Sequence, residues 1–146
     1  MKKFSIANQL NMIEMISSVY FESGFTISDI AQILNRKRRT VYRYLKSIND
    51  FAPIILTYVD SDDKTHLKLM EKISEKTVDL AFSKNQTMPL IYLFLLSLCR
   101  EIKIADIEIM FKCSKNKAIK MRNHIFNTTN LGNIEHTDED LDTECE

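Results

Sequence analysis

Residues 38–48 carry two kinds of side chain that separate onto opposite faces at helical spacing. The apolar members, Val41, Tyr44, Leu45 and Ile48, recur at i, i+3, i+4 and i+7 and form one stripe of an α-helix. The basic and polar members on the remaining face are Arg38, Arg39, Tyr42, Arg43 and Lys46. A shorter amphipathic helix beginning at Ile27 precedes them. The pattern predicts the second helix of a helix-turn-helix, with one flank buried and the other exposed.

An exposed helix with guanidinium groups one turn apart suits the major groove of DNA. Arginine makes paired hydrogen bonds to guanine there and also bonds phosphates. The predicted DNA-binding residues of this helix and its turn are Arg36, Lys37, Arg38, Arg39, Thr40, Tyr42, Arg43 and Lys46. By position, Arg38, Arg39 and Arg43 are expected at base edges or nearby phosphates. Thr40 and Tyr42 suit a phosphate or a thymine methyl, and the other three suit the DNA backbone.

The bulk composition favours a mostly helical, globular chain. Of 146 residues, 45% are hydrophobic and 27% charged, while only 2 are Gly and 2 are Pro. So few turn-forming residues leave room only for short connections between helices. The chain length fits one domain or two small ones.

The net charge is zero, but the charges are unevenly distributed. Residues 135–146 hold 7 acidic groups and no Lys or Arg, so residues 1–134 have 20 basic and 13 acidic residues, a net of +7. A basic body suits a polyanionic partner. The acidic tail has three interpretations: added solubility, competition with DNA for the basic face, or contact with a basic protein partner.

Helical periodicity predicts helices at about 5–22, 27–34 and 38–49, followed by a strand at 54–59. The turn cluster 60–64 and the alternation that begins at His66 predict a return strand. Lys64 at the hairpin tip is then a further predicted DNA contact. The alternative is a helix from Leu69 to about residue 83, because that segment also keeps helical spacing. Further helices are expected at 90–102, 104–111 and 115–126.

The second half of the chain repeats the first at an offset of 77 residues without a gap. The aligned pairs are Ile27 with Ile104, Asp29 with Asp106, Ile30 with Ile107, Leu34 with Phe111, Val41 with Ala118, Arg43 with Lys120, Tyr44 with Met121 and Ile48 with Ile125. Each half also opens with an apolar helix. The expected fold is therefore mostly α, with tandem helix-turn-helix units, the first of them winged by a small β-hairpin.

Residues 25–59 resemble the winged-helix units of bacterial DeoR-type and Mga-type regulators. The residues that carry the resemblance are Ile27, Ile30, Ala31, Leu34, Arg39, Thr40, Val41, Arg43 and Leu45. The chain departs from the family pattern at the turn, where Arg36 and Lys37 replace a small apolar residue and Ser. The second unit keeps Cys113 and Ser114 in that turn but lacks the Arg-Thr-Val that follows. The resemblance implies a DNA-binding transcription regulator of bacterial or phage type.

The sequence divides into three expected parts: a winged helix-turn-helix DNA-binding unit at 1–83, a second helix-turn-helix-like unit at 84–130, and an acidic flexible tail at 131–146. The second unit has its own basic set, Lys112, Lys115, Lys117, Lys120 and Arg122. Of these, Lys115, Lys117 and Lys120 are predicted to contact DNA. Because the set is mostly lysine, it suits phosphate attraction better than base reading.

A single recognition helix reads few base pairs, so both units must engage one site or the protein must form a homodimer on two half-sites. The apolar segment 90–99 is expected to be a buried helix and is also a candidate dimer surface. The main alternative to a regulator is a protein-docking adaptor made of tandem winged helices, acting in chromosome segregation, replication or RNA polymerase binding.

The sequence indicates no enzyme and no cofactor. It contains no Gly-rich phosphate loop, no nucleophile–base pair, and no zinc-type spacing among three Cys and three His. Polar residues from Asn8 onward interrupt the start of a signal peptide. The longest apolar run, at 90–99, is half of the roughly 20 residues that a bilayer span needs. A cytoplasmic protein with reduced thiols is expected.

Overall fold

The computed structural model describes residues 4–129 and 131–135, and within them the chain forms seven helices and one β-hairpin. The elements in chain order are α1 (Ile6–Phe21), α2 (Ile27–Leu34), α3 (Arg38–Phe51), β1 (Ile55–Val59), β2 (Thr65–Leu69), α4 (Glu75–Lys84), α5 (Pro89–Cys99), α6 (Ile104–Phe111) and α7 (Lys115–Thr128). This is the mostly helical, tandem helix-turn-helix architecture with a winged first unit that the sequence predicts.

Helix α1 is the element against which both units pack. The Ser5 hydroxyl caps its start by accepting from the Asn8 amide at 3.1 Å. Gly24, with φ of +99°, follows its end. Met12 and Ile16 are fully buried. The helix contacts α2 and α3 of the first unit and α5 and α7 of the second, so one continuous core joins the two halves.

The turn between α2 and α3 closes without the small apolar residue that the resemblance leads one to expect. Thr26 and Asp29 form a reciprocal capping box at the start of α2. At its end Asn35 adopts the left-handed conformation, with φ of +53°, and the Arg36 amide donates to the Ala31 carbonyl at 2.9 Å. These backbone bonds complete the turn, so the side chains of Arg36 and Lys37 are free to lie in solvent.

The hairpin is confirmed, and the alternative helix is wrong in its start, since β2 extends to Leu69 and α4 begins only at Glu75, although its expected end near residue 83 matches the end of α4. Strands β1 and β2 pair antiparallel from Ile55 opposite Leu69 to Val59 opposite Thr65. We call the two strands and the turn 60–64 between them the wing. The wing is also tied to the connection between α1 and α2, because the Leu67 amide donates to the Phe25 carbonyl at 2.8 Å.

The predicted repeat is present in the helices of the second half. Helices α6 and α7 have the same lengths as α2 and α3, 8 and 14 residues, and begin 77 positions later. Lys112 ends α6 in the left-handed conformation at φ +49°, as Asn35 ends α2. Val41 and Ile48 of α3 are buried, and so are Ala118 and Ile125, the residues of α7 that align with them.

Helix α5 lies inside the molecule, so the prediction that segment 90–99 is a candidate dimer surface is wrong. All eight residues from Leu90 to Ser97 are buried. The helix packs against α1, α4 and α7 of its own chain. The helix is apolar on all faces because it is buried on every side, which confirms the prediction that segment 90–99 is a buried helix.

The chain returns to this core after α7. Ile134 is 3% exposed and bridges Ile102, and the Asn133 amide donates to the Ser97 carbonyl at 3.2 Å. Five residues of the segment that the sequence assigns to the acidic tail thus pack beside the start of α6. Residues 136–146, which carry most of the acidic charge, lie outside the described residues.

Candidate nucleic-acid interface

Helix α3 presents its basic face to solvent as the sequence predicts. Val41 and Ile48 are fully buried, and Tyr44 is 6% exposed, which confirms it as a core residue. Arg38, Arg39 and Arg43 are exposed. Within residues 4–129 and 131–135, these three guanidinium groups make no ion pair and no side-chain hydrogen bond.

The orientation of α3 is fixed by a hydrogen-bond network with α1. The Tyr44 hydroxyl donates to Asn8 Oδ1 at 2.9 Å and accepts from Asn11 Nδ2 at 3.1 Å. Both bonds occur at the edge of the core, where Tyr44 buries its ring and still satisfies its polar end. The network limits rotation of α3 about its axis, and rotation would redirect the arginines.

The side chain of Asn49 links the wing to α3 by hydrogen bonds. Its Nδ2 donates to the Ile55 carbonyl at 2.9 Å, and its Oδ1 accepts from the Ile55 amide at 3.0 Å. Asn49 thus satisfies the backbone amide and carbonyl of Ile55, a buried residue of β1. These two groups point away from β2 and, within the described residues, have no partner in a neighbouring strand. No local pattern in the sequence indicates this bond pair.

We expect Asn49→Ala to lower the free energy of unfolding by about 1–3 kcal/mol, because it leaves the buried Ile55 amide and carbonyl without partners. Chemical denaturation monitored by circular dichroism measures the change. Asp50→Ala, one residue later and exposed, is the control and should change stability by less than about 0.5 kcal/mol. Equal effects of the two substitutions would show that Asn49 does not anchor the wing.

The other residues of the first unit that are predicted to contact DNA differ in exposure and in the bonds that they already make within the protein. Arg36 Nη1 donates to the Asn35 carbonyl at 3.2 Å, and Thr40 is half-buried. Lys46 Nζ is paired with Asp50 at 2.7 Å, with both side chains mostly exposed. Lys37 and Tyr42 are exposed. An exposed pair of the Lys46–Asp50 kind is weak, so a phosphate could replace the carboxylate at little cost.

Lys64, which the sequence predicts to contact DNA, lies in a wing turn that is mostly acidic. Lys64 is exposed at the tip as predicted, but Asp60, Asp62 and Asp63 surround it in the same turn. A groove of about 550 Å³ separates this turn from Arg38 and Tyr42. The carboxylates share that groove with α3, and their negative charge opposes the approach of phosphate to the wing.

His66, which the sequence analysis did not assign, links the wing to the connection between α1 and α2. Its Nε2 lies against the Asp60 carboxylate and its Nδ1 lies 2.6 Å from the Gly24 carbonyl. The Asp60 hydrogen bond, followed by the Gly24 bond, raises the pKa of His66 above its ordinary value of 6.5. The bond to His66 and the Lys64 amide lower the pKa of Asp60. The hairpin alternation places His66 opposite Tyr58 but gives no sign of these partners.

The second basic set lies at the equivalent place in the second unit. Lys112, Lys117 and Lys120 are exposed in the α6–α7 turn and on α7, and so is Lys115, which holds the position of Arg38 in the repeat. Arg122 does not belong to this set, and the expectation that it adds to the basic surface is wrong. It is fully buried, with its guanidinium carbon 5.1 Å from the centre of the Phe126 ring.

A protein-family model matches part of the first unit. Residues 8–52 match the family model of the Homeodomain-like domain. That match takes in α1, α2 and α3, the three helices that build and orient the basic face, and covers less than half of the chain. No match was found among curated protein sequences.

One solved structure is similar over most of the chain. It is described as the crystal structure of MepR, a transcription regulator of the Staphylococcus aureus multidrug efflux pump MepA. The comparison covers 82% of this chain and 74% of that chain, with 18% sequence identity and a TM-score of 0.37.

The described residues contain no helix with the length and apolar character needed to cross a bilayer. The same part of the chain holds no group of three or more His, Cys, Asp or Glu arranged to bind a metal ion.

Proposed function

We propose that the chain is a transcription regulator that binds double-stranded DNA and reads the major groove with α3. The observation that carries this proposal is the trio Arg38, Arg39 and Arg43, exposed and unpaired within the described residues, on a helix whose opposite face is buried. The match to a Homeodomain-like domain over the same helices supports it. A cytoplasmic location is part of the same proposal.

We assign different contacts to the basic residues of α3 according to their position along the helix. Arg39 and Arg43 lie one turn apart and have no internal partner within the described residues, so they are the groups we assign to base edges. Arg38, Lys37 and Arg36 surround the helix N-terminus, where backbone amides also point outward, and suit phosphates. Tyr42, exposed beside Arg38, supplies a further contact to phosphate or a thymine methyl.

The second unit contributes either phosphate contacts or the contact between two copies. In this proposal residues 1–83 carry the sequence preference and residues 84–130 add affinity through Lys115, Lys117 and Lys120. A homodimer on two half-sites gives enough base pairs for a specific operator. Its interface must use a surface other than α5, because α5 is buried in the monomer.

A gel shift at increasing salt, with random-sequence duplex, tests the proposal. Lysine and arginine release counterions on binding phosphates, so the logarithm of the binding constant should fall linearly with the logarithm of salt concentration. The absence of any shift at low salt would remove the DNA-binding function.

The contribution of the second unit can be measured separately. We expect Lys117→Ala with Lys120→Ala to weaken binding to all sequences alike and to reduce the salt slope by about 2, one for each lysine that no longer neutralises a phosphate. The control is Lys76→Ala with Lys84→Ala, which removes the same charge from exposed positions of α4. An unchanged slope in the α7 variant would assign the second unit to dimerisation alone.

A protein-docking adaptor is the second candidate, and the acidic wing turn is the observation that favours it. Asp60, Asp62 and Asp63 suit a basic protein surface better than phosphate. This candidate predicts that Arg39 and Arg43 are dispensable for nucleic-acid binding, whereas the regulator requires them.

A further inference from the structure

We propose that His66, held between the Asp60 carboxylate and the Gly24 carbonyl, is a proton-operated latch that keeps the wing in its DNA-compatible position and lowers DNA affinity when it loses its proton. The proposal rests on the proposed function, because it describes regulation of the same interface.

The geometry requires a proton on each ring nitrogen. Gly24 O is a carbonyl oxygen and accepts only, so Nδ1 must donate to it. The Asp60 carboxylate is also an acceptor when ionised, so Nε2 must donate as well. Only the imidazolium form has both donors. The flat stacking of the Tyr58 ring on His66, with centroids 5.1 Å apart, also favours a cation there.

The charged groups around the latch reinforce this state. Within the described residues, Asp29 at the start of α2 and Asp60 in the wing turn both favour the cation. Asp62, Asp63 and Lys64 flank it in the wing turn, and Arg38 and Tyr42 of α3 face it across the groove. The His66 side chain is 17% exposed and that of Asp60 29%, so the pair is partly screened but not fully solvated.

The latch also affects the segment between α1 and α2, because β2 is hydrogen-bonded to that segment. The His66 backbone bridges Thr26, and its neighbour Leu67 bonds Phe25, so β2 continues the hairpin onto the connection before α2. Loss of the proton breaks one of the two ring hydrogen bonds and leaves the Asp60 charge uncompensated. The wing is then held less firmly, and the Asp60 carboxylate faces Arg38 across the groove without the compensating positive charge of His66. Both effects weaken binding to phosphate.

The pH range follows from the two pKa directions. The pKa of His66 is raised above 6.5, so its stabilising contribution is complete below pH 6.5 and is lost as the pH rises through the higher folded-state pKa. The pKa of Asp60 is lowered below 3.8, so its contribution is complete above pH 3.8 and is lost as the pH falls through the lower folded-state pKa. The latch is therefore fully formed from pH 3.8 to 6.5 and opens on the alkaline side.

The variant Asp60→Asn removes the need for a second proton on His66 but keeps the hydrogen bonds that shape the wing turn. Asp60 Oδ1 accepts from the Asp62 amide at 2.8 Å and the Lys64 amide at 3.0 Å, and an asparagine keeps that acceptor. Its Nδ2, however, donates to Nε2 and therefore selects neutral His66 with the proton on Nδ1. The Gly24 bond persists, and the wing stays in place without a second proton.

The test measures two quantities on the full chain from pH 6 to 8.5. Nitrogen NMR of the free protein should show imidazolium at His66 well above pH 6.5 in the unaltered chain, and the neutral Nδ1–H form in Asp60→Asn. Affinity for a fixed random-sequence duplex should fall by roughly three- to tenfold in the unaltered chain, within the tenfold per pH unit that one linked proton allows. It should stay flat in Asp60→Asn, while His124→Gln, a histidine replacement on α7, should keep the unaltered profile.

Neutral His66 at pH 6.5 in the unaltered chain, or identical pH profiles of affinity in the unaltered chain and Asp60→Asn, would overturn the latch and leave the DNA-binding proposal standing. The absence of duplex binding at every pH would instead overturn the proposed function together with its regulation. The NMR titration of the free chain distinguishes these two failures.

Discussion

Replacing Arg39 and Arg43 together by alanine should weaken binding to the preferred DNA sequence by roughly 2–6 kcal/mol, which is about thirtyfold or more. Each side chain is expected to provide about 1–3 kcal/mol if it pairs with a guanine edge in the major groove. Both arginines are exposed and have no internal partner in the described residues, so their removal should leave the fold intact. Affinity is measured by fluorescence anisotropy, and folding by circular dichroism.

The double variant Lys76→Ala with Lys84→Ala is the matched control, because it removes the same two charges from exposed positions of α4. It should cost far less affinity than the α3 variant. Equal losses in the two variants would mean that only net charge matters, and α3 would not be the recognition helix.

The largest expected effect on stability comes from Phe94→Ala in α5. Phe94 is fully buried, and its removal should lower the free energy of unfolding by about 3–5 kcal/mol and the melting temperature by roughly 10 °C. The cost combines lost apolar burial with the cavity that remains between α5 and its neighbours. Denaturant titration gives the free energy, and calorimetry gives the melting temperature.

The same experiment separates a monomer core from an oligomer interface. Because α5 is buried within one chain, the loss for Phe94→Ala should not depend on protein concentration. The control Ile109→Ala, at a residue that is 76% exposed, should change stability by less than about 0.5 kcal/mol. A concentration-dependent loss would restore α5 as a dimer surface.

The periodicity of the sequence was sufficient to predict six of the seven helices in the described residues and their repetition, but it offered α4 only as part of the alternative helix from Leu69. The spacing of Val41, Tyr44 and Ile48 predicted which face of α3 is buried. The second unit could be recognised by alignment at an offset of 77 residues because both units bury the same positions. Helix ends were less predictable. Helix α3 continues to Phe51, because Phe51 has a buried place to fill that local pattern does not reveal.

What the sequence could not supply were interactions between distant residues. The Asn8–Tyr44 bond joins residues 36 positions apart, and the Gly24–His66 bond joins residues 42 apart. Arg122 was misplaced for a similar reason. Local pattern grouped it with nearby lysines, but α7 packs against α1, α5 and α6, and the Arg122 side chain is fully buried.

Selection of bound sequences from a random duplex library by the unaltered chain tests the central claim most directly. If the outward arginines of α3 read the major groove, the selected pool should converge on a motif containing guanines, arranged as two half-sites if the protein binds as a dimer. A library that is retained at low salt but shows no enriched motif after repeated rounds would contradict sequence reading by α3.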